Sequence, residues 1–254
     1  MMIMKTLQMS HAWLRRLLPD GFMYPSSTLI SGPGGSGKPL IGFAFAHDWL
    51  QAGGNVIFVA LQYPETKFVK TSLKKIYNLN IDDYTHAIGY VQFDHDIETW
   101  QRSDQNTIRA NLLKPPVWED ALQETEDTFA EPEDPGTLVF ASALNLLLFS
   151  PTYRDRNVDA FETILKQESS RTYLLSVSTS AYREEIRRWE NATDTLLITR
   201  MDEDMQLYLS VERLNNTEVS SAAVAVPIEK KILQGIKEVA EGVRKRQIPG
   251  LRKI

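Results

Sequence analysis

The chain has 254 residues, of which 43% are hydrophobic and 24% charged, with a formal net charge of −5. These values fit an ordinary soluble protein with a sizeable core, organised as one large α/β domain or two small ones. The absence of cysteine excludes disulfides, zinc–thiolate sites and cysteine nucleophiles, and no apolar run approaches the ~18 residues of a membrane span. The N-terminal Met1-Met-Ile-Met-Lys-Thr lacks the apolar stretch of a signal peptide, so a cytoplasmic location without membrane contact is expected.

In chain order, residues 28–31 read as a short buried strand, followed by a glycine-rich turn from Gly32 to Gly37. Residues 40–51 read as a helix with Leu40, Ile41, Ala44, Phe45 and Trp49 on one face. Gly53-Gly54 ends it, because glycine accepts the left-handed conformation after a helix C-cap. Residues 55–61 form the next strand; their continuous apolar run predicts burial on both faces, as in a parallel sheet. Pro64 opens a second helix reaching about Tyr77. This βαβα order argues for an α/β fold.

Beyond it, residues 88–93 read as a strand, 97–113 and 116–130 as helices, and 137–141 as a buried strand. A helix over 158–168 precedes a strand over 172–178. Three closely spaced strands at 194–200, 206–214 and 222–227 predict an antiparallel meander. The segment 228–246 reads as a helix with Ile232, Leu233, Ile236, Val239, Ala240 and Val243 as its apolar stripe.

Charge is unevenly spread. Residues 119–134 carry Glu119, Asp120, Glu124, Glu126, Asp127, Glu131, Glu133 and Asp134 without a lysine or arginine, whereas the segment from Ile228 onward is basic. That asymmetry divides the chain into a domain over 1–227 and a basic helix or tail over 228–254. The tail is read as a surface for a protein partner or a second copy of the chain, with its stripe folding back onto its own domain as the main rival and a solvated helix face as the plainer alternative.

The chemistry-bearing motif is Gly32-Pro-Gly34-Gly35-Ser36-Gly37-Lys38-Pro39. It matches G-x-x-x-x-G-K and then departs, because Pro39 stands where serine or threonine is required. In a working loop of this kind the backbone N–H groups and the helix N-terminus cradle phosphates. The lysine meets the β- and γ-phosphates, and the hydroxyl holds Mg²⁺. Gly32, Gly34, Gly35, Ser36, Gly37 and Lys38 are therefore the candidate nucleotide-binding residues. Pro39 removes the hydroxyl and one N–H. It also biases Lys38 away from the α region, while remaining acceptable in a first helical turn.

The loop, its flanking strand and helix, Leu14-Arg-Arg-Leu-Leu-Pro-Asp-Gly-Phe22 and Phe43-Ala-Phe-Ala-His-Asp-Trp-Leu-Gln-Ala-Gly-Gly54-Asn-Val-Ile-Phe-Val59 resemble the opening of KaiC-like proteins. These belong to the RecA superfamily of P-loop ATPases and are common in archaea. The resemblance is carried by residues 14–68 and beyond them by the order of elements. It implies a RecA-like P-loop fold, mostly parallel and flanked by helices, with antiparallel strands toward the C-terminus. It also implies positions for three further functional groups. The water-activating glutamates of active relatives would fall at Gln62-Tyr63, the metal-anchoring aspartate at Ala141, and the late-strand cation reaching a neighbour's phosphate near Arg213. At the first two places no carboxylate is present. The resulting expectation is a non-hydrolysing regulator or scaffold, with at most weak ATP binding, no Mg²⁺ requirement and no catalytic residue.

Two other readings stay open. One is a nucleic-acid-binding recombinase paralogue using the basic tail, or Arg183, Arg187 and Arg188, which otherwise read as a helix surface. The other is an active ATPase with unusual carboxylates, for which Asp94-His95-Asp96 is the candidate region. The four histidines, His11, His47, His86 and His95, form no H-x-x-x-H pair, so no metal site is expected.

Overall fold

The computed structural model describes residues 4–62, 66–130, 134–167, 171–219 and 221–254. Among them a small antiparallel pair, β1 (Lys5–Leu7) and β2 (Phe22–Tyr24), brackets helix α1 (Ala12–Leu17). The main sheet follows. Its strands are β3 (Ser27–Gly32), β4 (Asn55–Ala60), β5 (Ile88–Phe93), β6 (Trp100–Asp104), β7 (Thr107–Ala110), β8 (Thr137–Ser142), β9 (Thr172–Ser178), β10 (Thr195–Met201), β11 (Leu207–Leu214), β12 (Thr217–Glu218) and β13 (Val224–Ala225). In space they run β12-β11-β10-β3-β9-β8-β4-β5-β7-β6, with β13 also on β11. From β10 to β7 every pairing is parallel. Antiparallel pairs close both edges.

All six residues of β3, β4 and β8 are buried, because helices cover both faces. The pleat sends Ile30, Val56, Phe58, Leu138, Phe140 and Leu174 to one core and Leu29, Ile57, Val59, Val139, Ala141 and Leu175 to the other. The first core lies beneath α2 (Lys38–Gln51) and α3 (Thr66–Tyr77); the second beneath α4 (Pro115–Glu126), α5 (Arg154–Lys166) and α6 (Arg183–Ala192). A mostly parallel sheet sandwiched by helices, with antiparallel strands at the C-terminal side, is the architecture expected from the sequence.

One element differs in kind. The segment expected to be helical over 97–113 contains the hairpin β6–β7. β6 is the edge strand, exposed at four of its five positions, so its polar side chains carry no apolar period to betray a strand. The expected start of the second helix at Pro64 lies outside the described residues; α3 is described from Thr66 and ends at Tyr77.

The last helix, α7 (Lys230–Leu251), is 22 residues long, about 33 Å at 1.5 Å per residue. Leu233 packs in the first core and Leu251 in the second, so the helix passes from one side of the sheet to the other. Of the expected apolar stripe, the side chains of Ile236, Val239, Ala240 and Val243 lie outside the described residues; Ile232 and Leu233 pack inward. No described helix is long and apolar enough to cross a membrane.

Candidate functional site

In a parallel sheet the groups at the carboxyl ends of the strands converge where neighbouring crossovers diverge. Here β3 is that strand: its chain crosses through α2 toward β4, whereas the chain from β9 crosses through α6 to β10 on the other side. The glycine loop, residues 32–38, leaves the carboxyl end of β3 and enters α2. Gly32 has φ +155°, and a Cβ there would lie 2.4 Å from the Thr199 carbonyl oxygen. Gly37 is the N-cap of α2 in the left-handed conformation, φ 64°. Both positions require glycine. Pro39 sits in the first turn without breaking the helix. Lys38 is nonetheless its first helical residue, because burial of Leu40, Ile41 and Ala44 along α2 outweighs the bias that proline exerts on its predecessor.

The loop's polar groups are turned on one another. Lys38 is buried, and its Nζ donates to the carbonyl oxygens of Gly32 (2.9 Å) and Pro33 (2.6 Å) and to Ser36 Oγ (3.1 Å). Ser36 Oγ donates to Pro33 O (2.8 Å) and shares a hydrogen bond with Thr199 Oγ1 (2.7 Å). The Gly34 N–H donates to Ser180 Oγ (3.0 Å), and Gly32 O accepts from the Thr179 N–H (3.0 Å). Only the crest, Pro33, Gly34 and Gly35, is exposed.

Apolar groups close the flank. A Cβ added at Gly37 would lie 2.8 Å from Leu207 and 3.3 Å from Leu233, so the first turns of α7 rest on the loop. The other end of α7 stands by the carboxyl ends of β8 and β5. Arg252 lies over the Phe149 ring at 5.7 Å, in the 3-10 turn Leu144–Phe149 that follows β8, and Gly250 approaches His95 just after β5. The helix thus straps the carboxyl edge of the sheet.

No protein-family model matches the chain, and no curated protein does. Among solved structures, the flagellar accessory protein FlaH from Methanocaldococcus jannaschii superimposes with a TM-score of 0.57 at 16% identity, over 89% of this chain and 96% of that one. A KaiC-like protein from the hyperthermophilic archaeon Pyrococcus horikoshii OT3 gives a TM-score of 0.62 at 14% identity, over 89% of this chain and 100% of that one. The chain has the KaiC-like fold.

On that KaiC-like frame the remaining candidate residues fall as follows. Gln62 lies two residues beyond the end of β4, beside the buried Leu61. Ala141 is in β8, fully buried, paired with Val59 and Leu175. Around it stand neutral polar groups: Ser176 Oγ accepts from the Ala143 N–H, and Asn145 Oδ1 accepts from the Ser178 N–H. Arg213 lies near the far end of β11, opposite Leu196, whereas Leu207 at the near end approaches the loop. Its guanidinium donates to Glu218 and to the carbonyls of Glu190 and Thr193 within the same chain.

Asp94 is paired with Arg109, and His95 with Asp96. Arg188 on α6 is bound by Asp159 and Glu162, the ion pairs of a helix surface. The acidic stretch is partly neutralised: Glu119 and Glu126 hold Arg171, Glu124 holds Arg102, and Asp134 holds Lys5.

Ser180, Thr199 and Leu207 touch the loop without a sequence signature, and Leu233, legible in the sequence only as part of an apolar stripe, joins them; all four come from more than a hundred residues away. The fold also brings His11, His47 and Asp48 together, with one ligand atom of each within 4.8 Å of the others.

Proposed function

We propose that this chain is a KaiC-like P-loop protein with a degenerate ATPase site, which does not hydrolyse ATP and acts as a regulator or scaffold. One observation carries the proposal: the Lys38 ammonium is engaged by the loop's own carbonyls, in a site with proline at position 39 and alanine at position 141. Phosphoryl transfer rests on positioning and metal-assisted charge stabilisation. Neither proline nor alanine offers a side-chain oxygen to Mg²⁺ or its water shell, and Gln62 can orient a water without accepting its proton as a carboxylate does.

ATP or another anion binds weakly at residues 34–38, with little dependence on Mg²⁺. Binding must first free the Gly34 N–H from Ser180 and the Lys38 ammonium from the loop carbonyls, and each exchange lowers net affinity. The regulatory output is contact with a protein partner or a second copy of the chain.

Phosphate release in the presence of Mg²⁺ or Mn²⁺ tests the reading. The expected result is no turnover above background. Turnover at ordinary enzymatic rates that disappears in Lys38→Ala refutes it. Calorimetric titration with ATP, with and without Mg²⁺, separates weak anion binding from a site that recruits other metal ligands.

A further inference from the structure

Ser10 and His11, at the start of α1, meet His47 and Asp48 in the C-terminal half of α2. His11 is the N-cap of α1, yet its side chain makes no capping hydrogen bond. Its Nε2 is buried and has no hydrogen-bond partner. That atom points at Asp48, 3.8 Å from Oδ1. His47, the residue before Asp48, places Nδ1 2.8 Å from the same oxygen. One ring nitrogen from each histidine and a carboxylate oxygen all lie within 4.8 Å of one another. An orphaned imidazole nitrogen beside a buried carboxylate is a costly arrangement, because a desolvated polar group without a partner forfeits its hydration.

We infer that His11, His47 and Asp48 form a Zn²⁺ site that ties α1 to α2. Two imidazole nitrogens and one carboxylate oxygen, with a fourth position for water, are a ligand set suited to tetrahedral zinc, whereas Mg²⁺ and Ca²⁺ call for oxygen-rich shells. Bonds of about 2.0–2.1 Å set tetrahedral ligand atoms roughly 3.3 Å apart; the separations of 2.8 and 3.8 Å lie on either side of that value.

The surroundings also fit a metal. Asp48 is oriented by the Ser10 N–H (2.8 Å) and the Ser10 hydroxyl, the kind of outer support that ligating carboxylates carry. The Tyr77 ring walls the cluster at 5.0 Å from His11 and 5.9 Å from His47, while its hydroxyl donates to Leu40 O. A cleft of about 480 Å³, lined by His11, Trp13, Arg16, Tyr77 and Pro227 among others, lies beside the cluster on its His11 side.

The test is calorimetric titration of the full, tag-free chain with Zn²⁺ alone, supported by the visible spectrum of the Co²⁺ form. One saturable site is expected. At a hundredfold excess over Kd, Zn²⁺ should raise the melting temperature by roughly 5–10 °C. His11→Gln and Asp48→Asn should each weaken binding about 100-fold or more, with His86→Gln as an unchanged control. His11 is partly exposed, so His11→Gln remains decisive should Asp48→Asn fold poorly, as far-ultraviolet circular dichroism would reveal. No saturable binding overturns the inference. So does a site whose affinity survives His11→Gln unchanged.

Discussion

Replacing Lys38 by methionine distinguishes a lysine that holds the loop together from one that waits for a phosphate. Methionine keeps most of the stem and removes the ammonium. The lost contacts include those to Gly32 O, Pro33 O and Ser36 Oγ, and hydrogen bonds from a charged donor contribute about 1.5–3 kcal/mol each. Burying an ammonium costs several kcal/mol in the opposite direction, and methionine is spared that cost. The difference is a net destabilisation of about 2 kcal/mol. At roughly 2–4 °C per kcal/mol for a chain of this size, Lys38→Met should melt about 4–8 °C below the parent chain in nucleotide-free buffer. Differential scanning calorimetry reads this directly, with an ATP titration of both proteins alongside. A variant that melts within about 1 °C of the parent yet loses ATP affinity tenfold refutes the reasoning, since the lysine would then be serving the ligand rather than the loop.

Gly42 faces Phe140 so closely that a Cβ would lie 2.2 Å from the ring tip. Gly42→Ala should therefore destabilise by about 1–3 kcal/mol in chemical denaturation, with at least half recovered in Gly42→Ala/Phe140→Leu; an unaffected single variant refutes the close packing. Leu251 at the end of α7 is fully buried, so Leu251→Ala should remove about 2–4 kcal/mol and hasten proteolysis within α7, whereas a merely solvated tail would lose nothing. The Tyr90 phenol is held above its ordinary pKa of 10.0 by burial, with Asp82 and Asp104 adding to the shift. Its stabilising contribution is complete below about pH 10 and is lost as the pH rises toward the folded-state value. Tyr90→Phe should consequently flatten the alkaline fall in melting temperature, and an unchanged profile counts against the buried neutral phenol.

The parallel strands were legible because strands covered on both faces are apolar at every position, as Val56 to Ala60 and Leu138 to Ala141 are. The loop was legible because Gly32, Gly37 and Lys38 sit between a strand and a helix at a diagnostic spacing. The β6–β7 hairpin escaped for the opposite reason: Gln101, Arg102, Ser103 and Asp104 lie on an edge and face solvent, so burial left no period in them. Nor could spacing show what seals the loop. Ser180, Thr199, Leu207 and Leu233 reach it only through the crossovers that place β9, β10, β11 and α7 around β3. A search for ligand pairs within one helix likewise passes over His11, whose partners His47 and Asp48 become its neighbours only when α1 docks on α2.

The position of β3 in the sheet also governs when the loop can exist. Both of its neighbours, β9 and β10, lie well over a hundred residues further along the chain. At a synthesis rate of about 5–20 residues per second, the strand waits on the order of ten seconds for its partners. Until then Leu29 and Ile30 have no sheet to join, and Thr199 and Ser180 have not yet been made. A ribosome stalled before Thr172 would carry the glycine motif as sequence without the loop as structure. The phosphate-type loop, encoded near the beginning of the chain, is thus among the last parts of the molecule to take shape.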